Sequence, residues 1–132
     1  MSHPIPPRIL LVDDTNRLRE AVARQLRDRG CDVETAPNGL EGLDRLAHGP
    51  FDAVVSDISM PLMDGLTFLR HALARDPSLR HRFILCSAEP LRSQDVDQAV
   101  PFLPKPFTGS ELWALLERLF AARPDAPLLN GR

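Results

Sequence analysis

Three short apolar runs in this sequence each lead directly into charged residues, and this pattern restricts the fold more than any other feature. The runs lie at residues 9–12, 51–56 and 101–104, and the charged residues that follow them are Asp13 and Asp14, Asp57, and Lys105. Short apolar runs bounded by turn residues are typical of buried strands in a parallel sheet. Ligands of such sheets bind at the carboxyl ends of the strands. We therefore expect three carboxylates and one ammonium group to meet in a single crevice.

The rest of the chain alternates predicted strands with predicted helices, which indicates an α/β fold with helices on both faces of the sheet. Residues 31–36 alternate apolar and polar side chains, which favours a strand at the edge of the sheet. The mostly polar segment 89–99 predicts only a weak helix, whereas Thr108 and Glu111 form a capping box before the last helix. The predicted strands are residues 9–12, 31–36, 53–56, 83–86 and 102–103, and the other predicted helices are residues 16–29, 40–47, 65–75 and 110–121.

Length and composition indicate one domain without a membrane span or a strongly basic surface for nucleic acid. The chain has 132 residues, 43% of them apolar, and a net charge of −2. No apolar stretch approaches the roughly 20 residues that cross a bilayer, and the N-terminus lacks a signal-peptide pattern. Cys31 and Cys86 are predicted to be buried free thiols, which fits a cytoplasmic protein. We predict an N-terminal tail over 1–7, one domain over 8–121, and a C-terminal tail or the start of a linker over 122–132.

The predicted crevice suits a hard divalent cation beside a reactive carboxylate. Asp13 and Asp14 are adjacent and repel each other, and a bound cation would relieve that repulsion. The alternative is structural, because Asp14 or Thr15 could cap the following helix instead. Asp57 could accept a phosphoryl group as an acyl phosphate, with a metal ion and a fixed cation to neutralise charge. An isolated aspartate at a strand end is more often a turn residue, but the surrounding pattern favours the nucleophile.

Lys105 and Ser87 supply the remaining polar groups of the predicted site. The ammonium group of Lys105 suits a phosphoryl oxygen as a point charge, and Pro106 could bend the loop inward through a cis bond. Ser87 ends the fourth predicted strand, where its hydroxyl could donate to a phosphoryl oxygen beside the small Ala88. The alternatives are an exposed lysine without a role and a serine that caps a helix or a turn.

Four stretches are specific in combination, and they lie in this order: ILLVDD at 9–14, DISMPLMDG at 57–65, LCSA at 85–88 and LPKPF at 103–107. With these stretches the chain closely resembles the receiver domains of bacterial two-component response regulators, over nearly its whole length. The resemblance implies a flavodoxin-like, doubly wound, five-stranded parallel sheet in the order 2-1-3-4-5. It also implies a phosphorylation-controlled switch rather than a turnover enzyme, either a single domain like the chemotaxis regulators or the receiver of a hybrid sensor kinase.

The resemblance implies a role for each acidic residue of the predicted site. Asp57 would accept the phosphoryl group from a sensor histidine kinase or a histidine phosphotransfer protein. Asp13, Asp14 and Asp57 would hold Mg²⁺, and the backbone carbonyl of Ser59 would be a further ligand. We expect no direct binding of nucleic acid and no insertion into a membrane.

The resemblance also implies a switch, formed by the Ser87 hydroxyl, the phosphate-binding Lys105 and the aromatic ring of Phe102. Plain core packing is the alternative for Phe102. The interval from Ser87 to Lys105 is shorter than is typical of the family, so we expect a short or irregular fourth helix within it. That helix borders the face through which such domains usually signal, and we expect the partner surface to be altered here. A short interval followed by LPKPF is more similar to the receivers of hybrid sensor kinases.

Other functions fit the sequence less well. The main alternative is a Mg²⁺-dependent aspartyl-phosphate phosphatase or phosphotransferase that uses Asp57 covalently. Against it, position 59 holds a serine rather than a second acid, and no cap domain is evident. A nucleotide- or flavin-binding domain of similar topology is disfavoured because residues 13–16 contain no glycine. A receiver that acts only by docking is disfavoured because the set of site residues is complete.

Overall fold

The computed structural model describes residues 5–89 and 100–121, which form five strands, four α-helices and one 3₁₀ helix. The strands are β1 (Arg8–Val12), β2 (Asp32–Ala36), β3 (Ala53–Asp57), β4 (Phe83–Ser87) and β5 (Phe102–Pro104). The helices are α1 (Asn16–Asp28), α2 (Gly39–Ala47), α3 (Gly65–Arg75), the 3₁₀ helix (Pro77–Arg82) and α4 (Gly109–Ala121). Each predicted strand is present, and each predicted helix that falls on described residues is present, with ends that differ by about one residue. The predicted weak helix at 89–99 lies almost wholly outside the described residues.

All paired strands are parallel, and their order is β2-β1-β3-β4-β5. This confirms the flavodoxin-like, doubly wound sheet in the order 2-1-3-4-5. It also confirms the edge position that the alternating pattern of β2 predicted. Val12 of β1 lies opposite Ser56 of β3, so the carboxyl ends of these two strands lie next to each other.

Two apolar layers cover the two faces of the sheet. Successive residues of a strand point to opposite faces, so Ile9 and Leu11 of β1 belong to one layer while Leu10 and Val12 belong to the other. The first layer packs against α1 and α4, and the second packs against α2, α3 and the 3₁₀ helix. Since both faces are filled by apolar side chains, polar chemistry is left to the edges of the sheet where the strands end.

The helix ends follow their local sequences. The Thr108 hydroxyl accepts the amide of Glu111 at 3.0 Å, and the Glu111 carboxylate accepts the amide of Thr108 at 2.8 Å, which confirms the capping box. Asn38 caps α2 by accepting the amide of Glu41, and Gly30 follows α1 with a φ of +93°. In the described part of the chain, no helix is long and apolar enough to cross a membrane.

Candidate functional site

Three carboxylates lie together at the carboxyl end of the sheet, as the sequence predicted. Asp57 is the last residue of β3, and Asp13 and Asp14 directly follow β1. These two strands are neighbours in the sheet, which brings their ends side by side. One oxygen from each carboxylate lies within 4.8 Å of an oxygen of the other two. Asp13 and Asp57 are buried, whereas Asp14 is exposed.

The ammonium group of Lys105 joins two of these carboxylates. Its Nζ lies 3.3 Å from Oδ2 of Asp13 and 3.3 Å from Oδ2 of Asp57, and the three side chains are 17%, 10% and 9% exposed, respectively. The Lys105 backbone N–H donates to the carbonyl oxygen of Ser87 at 2.9 Å, and the bond between Lys105 and Pro106 is cis. Charges this shielded from water interact more strongly than an ion pair on the surface. Lys105 therefore lies where the sequence predicted, as the fixed cation of the crevice.

The electrostatics of the crevice leave its negative charge only partly balanced. Burial raises the pKa of the Asp57 carboxyl, the Lys105 ammonium lowers it and the Asp13 carboxylate raises it, so that the pKa lies above its ordinary value. Burial lowers the pKa of Lys105, but attraction to Asp13 and Asp57 outweighs this effect and the pKa is raised. Because the pKa of Asp57 is raised even beside Lys105, a second cation in the crevice would favour the ionised carboxylate.

The loop after β3 orients the carboxylate of Asp57. The backbone N–H of Ile58 donates to Oδ1 of Asp57 at 2.9 Å, while Oδ2 faces the lysine. The N–H of Gly65 closes the loop by donating to the carbonyl oxygen of Ile58 at 2.8 Å. A Cβ on Gly65 would lie 2.3 Å from the carbonyl oxygen of Asp57, so only glycine fits without a backbone shift. Asp64 then caps the N-terminus of α3.

The residues predicted to form the switch lie on the two strands beside the crevice. Ser87 is buried at the end of β4, and its Oγ accepts the N–H of Glu89 at 3.0 Å, which leaves the hydroxyl proton for another acceptor. Phe102 of β5 is half-buried and packs against the apolar layer on the α2–α3 side. Ser59 is exposed in the loop after Asp57. The switch roles and the metal contact of Ser59 stay predictions.

The donor set of the crevice fits Mg²⁺. This ion takes oxygen ligands from one or a few carboxylates and retains several waters. Asp13, Asp14 and Asp57 offer only oxygen, their oxygens approach one another closely, and exposed Asp14 leaves one side open to solvent. Softer metals prefer sulfur or imidazole ligands, and no cysteine or histidine belongs to this cluster among the described residues.

Sequence reasoning missed Arg19, which borders the crevice from α1. Its Nη1 donates to the backbone carbonyl oxygen of Asp13 at 2.7 Å. The signal in the sequence is a basic residue in the first turn of a helix, where the helix dipole favours acidic side chains. Arg17 gives the same signal in the same turn and is exposed, so the sequence alone does not single out Arg19.

Comparisons with known proteins agree with the fold. Residues 9–117 match the family described as the response regulator receiver domain. Response regulator MprA of Mycobacterium sp. (strain KMS) is 37% identical over 135 residues, and the alignment covers 96% of this chain and 58% of MprA. Chemotaxis protein CheY-3 of Vibrio cholerae is 37% identical over 119 residues, covering 86% of this chain and 91% of CheY-3. The chain therefore spans little more than half the length of MprA.

A solved structure shows the same likeness in three dimensions. Response regulator TrrA of Thermotoga maritima, in complex with Mg²⁺–BeF, aligns with a TM-score of 0.77 and 30% identity. The alignment covers 86% of this chain and 98% of TrrA. Since the family match runs through all five strands and most of the last helix, the chain belongs to the response regulator receiver domains, which accept a phosphoryl group on an aspartate.

Proposed function

We propose that Asp57 is the phosphoacceptor of this receiver, and that it receives the phosphoryl group from a histidine kinase or a histidine phosphotransfer protein. The observation that carries the proposal is the position of Lys105, whose ammonium group lies 3.3 Å from both Asp57 and Asp13. A carboxylate nucleophile, a fixed cation and further carboxylates for a metal are the groups that phosphoryl transfer to an aspartate requires. We propose that Asp13, Asp14 and Asp57 hold Mg²⁺.

The surrounding residues would prepare Asp57 for attack. The N–H of Ile58 holds one carboxylate oxygen, so the orientation of the nucleophile is set before the donor arrives. A carboxylate oxygen then bonds to phosphorus as the phosphorus–nitrogen bond of the donor phosphohistidine breaks, and the imidazole leaves with the electron pair. Lys105 would neutralise a phosphoryl oxygen in the product. When bound, Mg²⁺ would supply further neutralisation of the phosphoryl charge.

We propose that Ser87 and Phe102 report the phosphorylated state. The Ser87 hydroxyl would donate its proton to a phosphoryl oxygen, and the Ser59 backbone carbonyl would be a further metal ligand. Ser87 lies opposite Pro104 in the sheet, and its carbonyl oxygen accepts the Lys105 N–H, so a shift of the Ser87 backbone would be passed to the end of β5. Space vacated by Ser87 would let the half-buried Phe102 ring turn inward and change the surface beside β5.

The domain itself would act as a switch rather than as an enzyme. We propose that residues 8–121 form the switch domain, with 1–7 as a tail and 122–132 as a tail or linker. MprA is considerably longer than this chain. We propose that the switch passes its signal to a downstream protein or to an attached domain. We propose a cytoplasmic location, where histidine kinases present their phosphoryl groups, and two buried cysteines that form no disulfide support it.

Labelling by acetyl phosphate tests the phosphoacceptor. With Mg²⁺ present, intact mass should show one added phosphate per chain, labile to hydroxylamine, and Asp57→Asn should take up none. Asp64→Asn is a matched control, because Asp64 lies exposed in the same loop and asparagine caps a helix equally well. Labelling of Asp57→Asn at the wild-type rate would refute the proposal. Continuous release of phosphate over many turnovers would favour the phosphatase instead.

A further inference from the structure

The side chain of Arg19 folds back from the first turn of α1 onto the loop between β1 and α1. Its Nη1 donates to the Asp13 carbonyl oxygen at 2.7 Å, and its Nη2 donates to Oδ1 of Asn16. Nε lies 3.6 Å from the Glu20 carboxylate and has no hydrogen-bond partner among the described residues. The side chain is only 12% exposed. Fixing a long arginine side chain in one conformation costs side-chain entropy. These hydrogen bonds offset that cost and hold the side chain in place.

Arg19 completes the set of bonds that hold Asp13. The Asp13 N–H donates to the carbonyl oxygen of Ala36 at 3.1 Å. Its Oδ1 accepts the N–H of Thr15 at 2.8 Å, and its Oδ2 faces Lys105. Arg19 supplies the donor for the one remaining polar atom, the carbonyl oxygen that leads into the next acidic residue. Loss of Arg19 would free the peptide unit that aims both carboxylates of this turn.

The charge of Arg19 acts against the binding of a cation. A guanidinium near the carboxylates repels a divalent cation, and the Glu20 carboxylate, 3.6 Å from Nε, offsets only part of that charge. Arg17 carries the same charge two residues earlier in this helix and is exposed. The geometric effect and the Coulombic effect of Arg19 on cation binding therefore have opposite signs. A measured affinity can separate them.

We propose that Arg19 is a positioning residue that holds the turn of Asp13 and Asp14 in the geometry that binds Mg²⁺. The inference rests on the proposed function, because that proposal assigns the cation to these carboxylates. Arg19 would act through the carbonyl oxygen of Asp13 rather than by direct contact with the cation or the phosphoryl group.

Titration of the full chain with Mg²⁺ alone, followed by calorimetry, tests this role. Arg19→Gln should raise the Kd for Mg²⁺ by about tenfold, in the lower range for residues that orient a metal ligand. Arg19→Lys should also raise it, because lysine keeps the charge and loses the two-pronged donor. The control Arg17→Gln should leave the Kd unchanged or lower it, since it removes only repulsion. At saturating Mg²⁺, the rate of labelling by acetyl phosphate should change much less than the Kd.

A Kd for Arg19→Gln equal to or below that of Arg17→Gln would overturn the inference, because Arg19 would then act only through its charge. Should Arg19→Gln fail to fold, Arg19→Lys and Asn16→Ala carry the test, and unchanged Mg²⁺ binding in both would overturn it as well. Labelling of the wild-type chain by acetyl phosphate, measured in parallel, tests the phosphoacceptor proposal separately from the role of Arg19. Absent labelling together with Arg19-dependent Mg²⁺ binding would refute the phosphoacceptor and support the positioning role.

Discussion

At the scale of single residues, the crevice gathers like charges and balances them with one lysine. The strand ends predicted which residues would meet there, because Asp13, Asp14, Asp57 and Lys105 each follow an apolar run. Residue types and spacing could not predict Arg19, since the fold-back of a long side chain depends on the path of a loop. The positive φ of Leu62 could not be predicted either, because leucine has no preference for a left-handed backbone.

We predict that Asp57→Asn stabilises the fold at neutral pH in the absence of a metal ion. The folded pKa of Asp57 lies above the ordinary value of 3.8, so the folded state holds this proton more tightly than the unfolded state does. Ionisation of Asp57 therefore costs stability as the pH rises from 3.8 through the folded pKa. The stabilisation by asparagine should be complete above the folded pKa and should disappear below pH 3.8. Chemical denaturation across this range, with Asp64→Asn as the control, measures it. A destabilised Asp57→Asn at pH 7 would contradict the prediction.

We predict that Leu62→Gly also stabilises the fold. Leu62 has a φ of +69°, the one positive value for a non-glycine residue in the described part of the chain, and its side chain is 77% exposed. Glycine relieves the left-handed strain of about 1–2 kcal/mol and loses part of that gain to chain entropy, leaving about 0.5–1 kcal/mol. Leu62→Ala keeps the strain and should give no such gain. Urea denaturation of both variants decides between relief of strain and removal of an exposed apolar side chain.

At the scale of elements, periodicity predicted the strands and helices wherever an apolar face exists. The 3₁₀ helix Pro77–Arg82 was missed because Leu79 is its one buried residue, and a single apolar side chain shows no period. Chemistry at a helix start was easier to predict, because a cap needs particular residue types at fixed spacing. The capping box of α4 follows that rule, with both of its hydrogen bonds formed.

We predict that Thr108→Ala destabilises the chain by about 1 kcal/mol, the usual cost of removing a helix cap. The Thr108 hydroxyl is the acceptor for the Glu111 amide, and alanine leaves that amide to water. Ser110→Ala is the control, since Ser110 is an exposed residue of the same helical turn. Thermal unfolding should show a drop in Tm for the first variant and little change for the second. Equal Tm values would indicate that α4 is held by its packing alone.

At the scale of the whole molecule, the strand order needed more than local pattern. Strands β1, β3 and β4 are buried almost throughout, so nothing in their residues shows which neighbours they have. The half-exposed pattern of β2 marked one edge, and the family resemblance supplied the rest of the order, which the structure confirms. That order puts β1 beside β3 and thereby assembles the crevice from residues 44 positions apart, Asp13 and Asp57.

The position of the acyl phosphate is the measurement that tests the assignment of this site most directly. The wild-type chain is labelled with acetyl phosphate and Mg²⁺, the acyl phosphate is reduced with borohydride, and the modified residue is located by peptide mass spectrometry. We predict reduction at residue 57 alone, and its loss when Mg²⁺ is chelated. Modification at Asp13, at Asp14 or outside the crevice, or labelling of residue 57 that persists without Mg²⁺, would contradict the assignment.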